Sequence, residues 1–344
     1  MSFGTLLLKV QHSEVSGCCC EDVQVKVVDL FCGAGGFSHG FIKDSDRHLA
    51  VDIDQHALAT YARNYPTATV WNRDIGRLHS SEIQESLGGR PEVVLASPPC
   101  EEFSKSNPES YRPAADRIYG TGTARLLLDA IRIIGDLEPQ VFIIENVAAI
   151  LRSGGHDIIV REFIRVGIKN IHFNLVRAHQ HGNPSKRLRV FISNMKFKLP
   201  RRNPPTVHTA IGDLPPLGLD AILSRPVAIP NHNLVPVMES RMKKVRRARS
   251  GQGVRHFRIS KSKTQANWVR LRPDQLATSI NGLSRYIHPT EDRLLTVREH
   301  ARLMSYPDSF VFTGPVESQY NQVGESVPPL ISHLLAQEAL EHIE

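Results

Sequence analysis

Val23-Gln24-Val25-Lys26-Val27-Val28-Asp29-Leu30-Phe31-Cys32-Gly33-Ala34-Gly35-Gly36 is the stretch on which the reading of this chain turns. The residues up to Phe31 are rich in β-branched and apolar side chains and predict a strand. The next five are dominated by glycine, and a helical pattern follows from Phe37. Strand, glycine turn and helix form the opening unit of a doubly wound α/β sheet. Glycines at such a turn let the backbone bend sharply and approach a ligand with no Cβ in the way. The spacing is not Gly-x-Gly-x-x-Gly, which disfavours the dinucleotide fingerprint and, with it, a nicotinamide-dependent oxidoreductase.

Working outward, a second strand is predicted over 48–53 with Asp52 at its end, then a helix through Tyr61. An acid at that place suits a bidentate grip on ribose hydroxyls. A third strand, 68–71, leads to Asp74-Ile75, where Asp74 reads either as an acceptor for an adenine amino group or as a helix cap. Together the three strand ends indicate an adenosine-containing cofactor. The run Glu92-Val93-Val94-Leu95-Ala96 predicts a further strand, stopped by Pro98-Pro99, which cannot continue a ladder. That leaves Cys100 at the carboxyl edge of the sheet, as a small core residue or as a nucleophile. The polar segment to Thr123 reads as a mobile loop over the site, followed by a helix over 124–137.

Gln140 to Ile144 is a fully apolar strand that runs into Glu145-Asn146-Val147. A carboxylate there is costly unless it is paired or used; a salt-bridged or capping Glu is the structural alternative. A strand pair is predicted over 173–179 and 187–193, and alternation puts Arg187 and Arg189 on one face. From about residue 194 prolines crowd the sequence and periodicity fades. Ser240 to Pro273 holds twelve Lys and Arg and no acid, against a net charge of +7 for the whole chain. Such a concentration favours a phosphate-binding face over a merely solvated one. Thr296 and Glu299 have capping-box spacing, and a final helix over 328–343 is expected to bury Leu330, Leu334, Ala336 and Leu340.

Composition bounds the alternatives. At 344 residues, 41% hydrophobic and 22% charged, the chain suits an α/β domain with a smaller second one. No apolar run reaches membrane-spanning length and the start lacks a secretory pattern, so a cytoplasmic protein with no membrane association is expected. Three of the five cysteines, Cys18, Cys19 and Cys20, are adjacent in a predicted N-terminal tail, and no spacing suggests a metal site. Cys32 reads as a packing residue, leaving Cys100 as the candidate nucleophile.

In order along the chain, these segments resemble the DNA (cytosine-5) methyltransferases of the bacterial and phage modification type. The resemblance covers Asp29 to about Ala339. It rests on Asp29 to Phe37, on Pro98-Pro99-Cys100 with Phe103-Ser104, and on Glu145-Asn146-Val147. Arg187-x-Arg189, Arg285 to Phe312 and Gln322 to Pro329 complete it. It implies a Rossmann-like S-adenosylmethionine-dependent methyltransferase sheet with a smaller target-recognition domain. By it, 1–22 is a tail, 23–193 completed by 322–344 is the catalytic domain, and 194–321 is the recognition domain. The implied activity is sequence-specific methylation of cytosine C5 in double-stranded DNA, through a covalent bond from Cys100 to C6 of a flipped-out base.

The roles it implies are specific. Glu145 would hold the N3/N4 edge of cytosine and Arg189 its O2, with Arg187 beside them. Phe31, Gly33, Gly35, Gly36, Asp52, Ile53, Asp74, Ile75 and Pro98 would hold S-adenosylmethionine, together with Glu325 and Ser326. Ser104, Lys243, Lys244, Arg246 and Arg247 would contact DNA. A cognate restriction endonuclease is an implied partner, and the enzyme is expected to act as a monomer. Two residues depart from the family pattern: Ser185 replaces the usual Gln, and Glu325 the commoner Asn. Ser326 is expected to cap the last helix, where Glu325 would also be favourable. Glu325 would lie near the amino-acid end of the cofactor, and Asn there is expected to tighten binding if it faces the carboxylate or to loosen it if it faces the ammonium, tightening being favoured. The rival functions are methylation of a tRNA cytosine and non-catalytic nucleic-acid binding.

Overall fold

The computed structural model describes residues 24–43, 47–103, 112–217, 229–258 and 264–343. The predicted tail with its three cysteines, and Ser104, lie outside them. Seven strands form the main sheet: β1 (Lys26–Leu30), β2 (Arg47–Asp52), β3 (Thr69–Asn72), β4 (Val93–Ala96), β5 (Val141–Val147), β6 (His172–Arg177) and β7 (Leu188–Ser193). Their order is β3-β2-β1-β4-β5-β7-β6. β1 to β5 pair in parallel, whereas β7 runs antiparallel to both β5 and β6. The order reverses between β1 and β4, the place where open α/β sheets hold ligands.

Among the described residues the α-helices are α1 (Gln55–Asn64), α2 (Ser80–Leu87), α3 (Ala114–Ile118), α4 (Leu126–Leu137) and α5 (Gly155–Arg165), then α6 (Val207–Ile211), α7 (Glu239–Arg247), α8 (Val297–Leu303), α9 (Val316–Glu325) and α10 (Pro329–Leu340). Alternation along the central strands buries both faces of the sheet, as helix-covered parallel sheets require. Val28, Val94 and Ile144 face a core with α2, α4 and α5. Val27, Val93 and Ile143 face the other way, against Phe37, Phe41 and α10. Asp54 starts α1 by accepting from the His56 and Ala57 amides, and Thr296 with Glu299 forms the expected capping box on α8.

Three local expectations are corrected. The helix expected from Phe37 is only a 3-10 turn, Ser38–Gly40. The last helix, α10, occupies the space: the Ser332 hydroxyl donates to the Phe37 carbonyl, and the Gly40 amide donates to Ser332 Oγ at 2.9 Å. Backbone of His333 lies so close that a Cβ on Gly40 would be 2.5 Å away. On α10 itself the buried stripe is Ile331, Leu334, Leu335, Ala336 and Ala339, with Leu330 and Leu340 only half-buried. Ser326 does not cap α10, which begins at Pro329; it ends α9 and donates back to the Val323 carbonyl at 2.9 Å. Glu325 therefore sits at a helix C-terminus, where the dipole disfavours negative charge.

A second sheet joins β8 (Gly253–Arg258), β9 (Thr264–Arg270) and β10 (Tyr286–Ile287), and α7 packs on it through Val245 against Trp268, Ile287 and Leu294. Another core links α6, α8 and α9 with Ala34 of the glycine turn. Arg298 is fully buried there and donates to the carbonyls of Pro230, Pro307 and Phe310. The boundary expected between 321 and 322 lies inside α9.

Candidate active site

The carboxyl ends of β1, β2, β4 and β5 open into one cavity of about 310 Å³. The glycine turn forms its floor. Phe31 and Gly33 have positive φ, 58° and 52°, and the Gly33 amide donates to Asp52 Oδ2 at 2.8 Å. A Cβ on Gly33 would meet no protein atom within 4 Å, so the space beside it belongs to the cavity. The other two glycines serve packing. A Cβ on Gly35 would be 2.5 Å from the Tyr65 ring, and one on Gly36 would collide with the Tyr306 hydroxyl and the Val327 carbonyl. Gly36 still borders the cavity; Gly35 does not.

Asp52 spends one oxygen on Gly33 and the other on the Asp54 amide at 2.9 Å, and burial raises its carboxyl above the usual range. Ile53, 71% exposed, and Arg73, Asp74, Ile75 and Leu126 line the adjoining wall. Asp74 also accepts from the Gly76 amide at 2.9 Å, so the cap geometry is present alongside the cavity position. This floor of open glycine, an acid anchored at a strand end and an uncovered isoleucine suits the turn, ribose and base of an adenosine cofactor.

On the other side β4 runs into Ser97, whose amide extends the ladder to the Leu30 carbonyl at 3.0 Å. The Asn146 side chain donates to the Pro98 carbonyl at 3.2 Å and holds the proline turn against β5. Cys100 follows, partly buried and lining the cavity. Beyond it a 3-10 turn, Glu101–Phe103, is anchored: Arg117 donates to the Glu102 carbonyl at 2.9 Å, its guanidinium 4.3 Å from the centre of the Phe103 ring. Glu145 at the end of β5 is 5% exposed and borders the same cavity.

Because β7 is antiparallel, its first residues reach the end of β5, with Arg189 beside Val147. Arg189 Nε lies 2.8 Å from Glu145 Oε1, an ion pair without hydrogen-bond alignment. Burial pushes the Cys100 thiol above its ordinary value, with the Glu145 charge adding, Arg189 and Arg187 opposing, and Glu325 adding again. Cys32, buried against Ala50, Leu58 and Tyr61, is raised further by burial and by Asp52 and Asp29.

Arg187 parts from Arg189. It is 2% exposed, and one guanidinium nitrogen donates to the carbonyls of Ile280 at 2.7 Å and Gly324 at 2.9 Å. It braces β7 to the 280 segment and to the end of α9, and it does not line the cavity. Ser185 is fully buried beside Asn183 and Met304. Lys243, Lys244, Arg246 and Arg247 are exposed on α7, far along the chain from the cavity; Arg246 pairs with Glu239 at 2.7 Å. Glu325 and Ser326 border the cavity. Sequence reasoning did not assign Glu101, Arg73 or the Asn146 clamp; only proximity to Cys100 and Glu145 pointed to the first and last.

The family model for C-5 cytosine-specific DNA methylases matches residues 25–341. The chain belongs to this family. It is thus a DNA cytosine-5 methyltransferase, with the sheet expected from its sequence. M.MjaORF1200P of Methanocaldococcus jannaschii, classed by name with the type II methyltransferases, is 34% identical over 94% of this chain and 100% of its own length. The type II methyltransferase M.DdeI of Desulfomicrobium norvegicum is 28% identical, over 91% of this chain and 88% of its own. Among solved structures, a protein described as a DNA modification methyltransferase of an Escherichia coli prophage superposes with a TM-score of 0.71 at 21% identity, covering 93% of this chain and 99% of that one. Of the methylase's described residues, no helix is long and apolar enough to cross a membrane.

Proposed function

We propose that this methylase modifies cytosine C5 in double-stranded DNA at a specific sequence, using S-adenosylmethionine and a covalent Cys100 adduct of a flipped-out base. The observation that carries this reading is that Cys100, Glu145 and the glycine turn border one cavity, with Arg189 on Glu145. When bound, the cofactor supplies an electrophilic methyl group. Residues Phe31, Gly33, Asp52, Ile53, Asp74 and Ile75 would hold it, with Pro98, Glu325 and Ser326 at its other end.

Cytosine C5 is a weak nucleophile, so the chain must activate it. The Cys100 sulfur forms a bond to C6, and the C5–C6 π electrons move to C5. Glu145 holds the N3/N4 edge and a proton at N3, and Arg189 faces O2, offsetting the negative charge that develops. C5, so activated, would accept the methyl that the cofactor supplies, the carbon–sulfur electrons staying on the departing thioether; C5 would then lose its proton to a base, and the electrons of that C–H bond would restore the double bond as Cys100 leaves. Burial and the Glu145 charge favour the protonated thiol, so the bond to C6 forms as the thiol proton passes to a general base. A stacked base does not reach this cavity, hence the flip.

In this reading 23–193 with 322–344 is the catalytic domain, and 194–321 reads the target, α7 meeting phosphates. The protein would act as a cytoplasmic monomer beside an endonuclease of the same specificity. The test is tritium transfer from labelled cofactor to duplex DNA and to tRNA by wild type and Cys100→Ser, with 5-fluorocytosine duplexes as traps. We expect label on DNA alone, a covalent complex with wild type, and neither label nor complex with Cys100→Ser, which still binds DNA. A Cys100→Ser adduct of normal yield would place the nucleophile elsewhere.

A further inference from the structure

Glu325 borders the cavity together with Asp52, Asp54, Asp74, Glu101 and Glu145, six carboxyl groups around one space, with Arg73 also on its wall. It sits at the C-terminus of α9, where the helix dipole is negative. Among the described residues no hydrogen bond or ion pair engages its carboxylate. A Cβ on Gly282 would collide with it, so a side chain at 282 would displace it. Glu325 and Cys100 border the same cavity, and the Glu325 charge adds to the field that raises the Cys100 thiol. Arg187 opposes its charge, but that guanidinium is committed to the Ile280 and Gly324 carbonyls, and Arg73 on the cavity wall pairs with Glu82 at 3.0 Å. A carboxylate so placed is relieved by a cation entering the cavity.

We propose that Glu325 selects for the positive charge of the methyl donor, favouring the sulfonium cofactor over its uncharged thioether product; this rests on the cofactor reading above. A methyltransferase must shed its product in the presence of substrate that differs by one methyl group and one charge. Shape distinguishes these two poorly, and an unpaired carboxylate on the cavity wall distinguishes them by charge through space. The direction opposes the tightening expected of Asn at this position, because the surroundings of Glu325 are already acidic and, among the described residues, Arg187 and Arg73 are engaged elsewhere.

Burial, Glu101, Asp54 and Asp52 together raise the Glu325 carboxyl to about 7, with Arg187 opposing. Selection should therefore be present above that pH, where Glu325 is ionised, and fade below it. A cation entering the site would draw the carboxyl back down, and near neutrality its binding would release part of a proton.

The test is calorimetric titration of S-adenosylmethionine and S-adenosylhomocysteine into wild type, Glu325→Gln and Glu325→Asp, at about pH 6 and about pH 8 in two buffers of different ionisation enthalpy. At the higher pH the preference for the sulfonium ligand should be on the order of fivefold greater in wild type than in Glu325→Gln. It should converge at the lower pH and be kept by Glu325→Asp. The ligands' own amino groups titrate alike against all three proteins and cancel in the comparison. Proton release on binding the sulfonium should be lost in Glu325→Gln. Equal preference and equal proton release in wild type and Glu325→Gln would overturn the proposal. Wild type that binds neither ligand would overturn the cofactor reading itself.

Discussion

Replacing Asp29 by Asn tests how the glycine turn is held from behind. Asp29 is fully buried in β1. The Ser38 hydroxyl donates to its Oδ2, the Tyr61 hydroxyl donates to Ser38 Oγ at 2.7 Å, and Tyr61 also meets His48 Nε2. This chain ties β1, β2, α1 and the turn after the glycines into one polar cluster. Burial raises the Asp29 carboxyl from 3.8 to about 7, with the Ser38 bond opposing and Asp52 adding. Between those values the folded protein holds a proton that the unfolded chain has released. Its stability contribution is thus complete below about pH 4 and lost as pH rises through about 7. Three units at 1.36 kcal/mol each set an upper scale of ~4 kcal/mol.

His48 works in the opposite sense: burial lowers it from 6.5 to about 3, so its contribution is present above 6.5 and lost as pH falls through 3. The two offset each other in the wild type over about pH 4 to 6.5. Asn keeps the acceptor for Ser38 and cannot ionise, so comparing the two proteins isolates Asp29. From about pH 4 to pH 8, Asp29→Asn should gain stability relative to wild type by roughly 2–4 kcal/mol. Urea unfolding followed by tryptophan fluorescence measures it. A difference that does not change with pH, or that changes in the other direction, would refute a carboxyl held neutral by burial.

Three further predictions concern the glycine turn and α7. Gly35→Ala places a Cβ 2.5 Å from the Tyr65 ring at a φ of 90° and should lose roughly 2–4 kcal/mol of stability in chemical denaturation. Gly33→Ala meets open space and carries only the left-handed backbone cost at a φ of 52°, about 1–2 kcal/mol, so it should lose less stability than Gly35→Ala yet bind S-adenosylmethionine weakly by calorimetry; the reverse pattern would mean the cavity floor is misplaced. Neutralising Lys243, Lys244, Arg246 and Arg247 together should weaken binding to every duplex and flatten the salt dependence by about two to four units of log–log slope. An unchanged slope in filter binding would leave α7 a solvated surface.

What the sequence determined by itself was whatever a local signal encodes. Apolar runs marked the parallel strands, Pro98 and Pro99 stopped one of them at Cys100, and Thr296 with Glu299 announced a helix start, because each depends on neighbours within a few residues. The family motifs extended that to the activity, since they report chemistry rather than packing. Contacts across long sequence separations decided the rest. The helix after the glycines is cut to one turn because Ser332 and His333, some 290 residues away, occupy its path. Arg187 and Arg189 share a predicted face, yet one braces Ile280 and Gly324 while the other meets Glu145. Alternation gives the direction of a side chain; only the antiparallel entry of β7 and the seating of α9 supply what it meets. Glu325 shows the same limit. Its charge is legible in the chain, but its potential is set by Asp52, Asp54 and Glu101, which folding alone brings around it, because Coulomb energy depends on distance through space and not along the sequence.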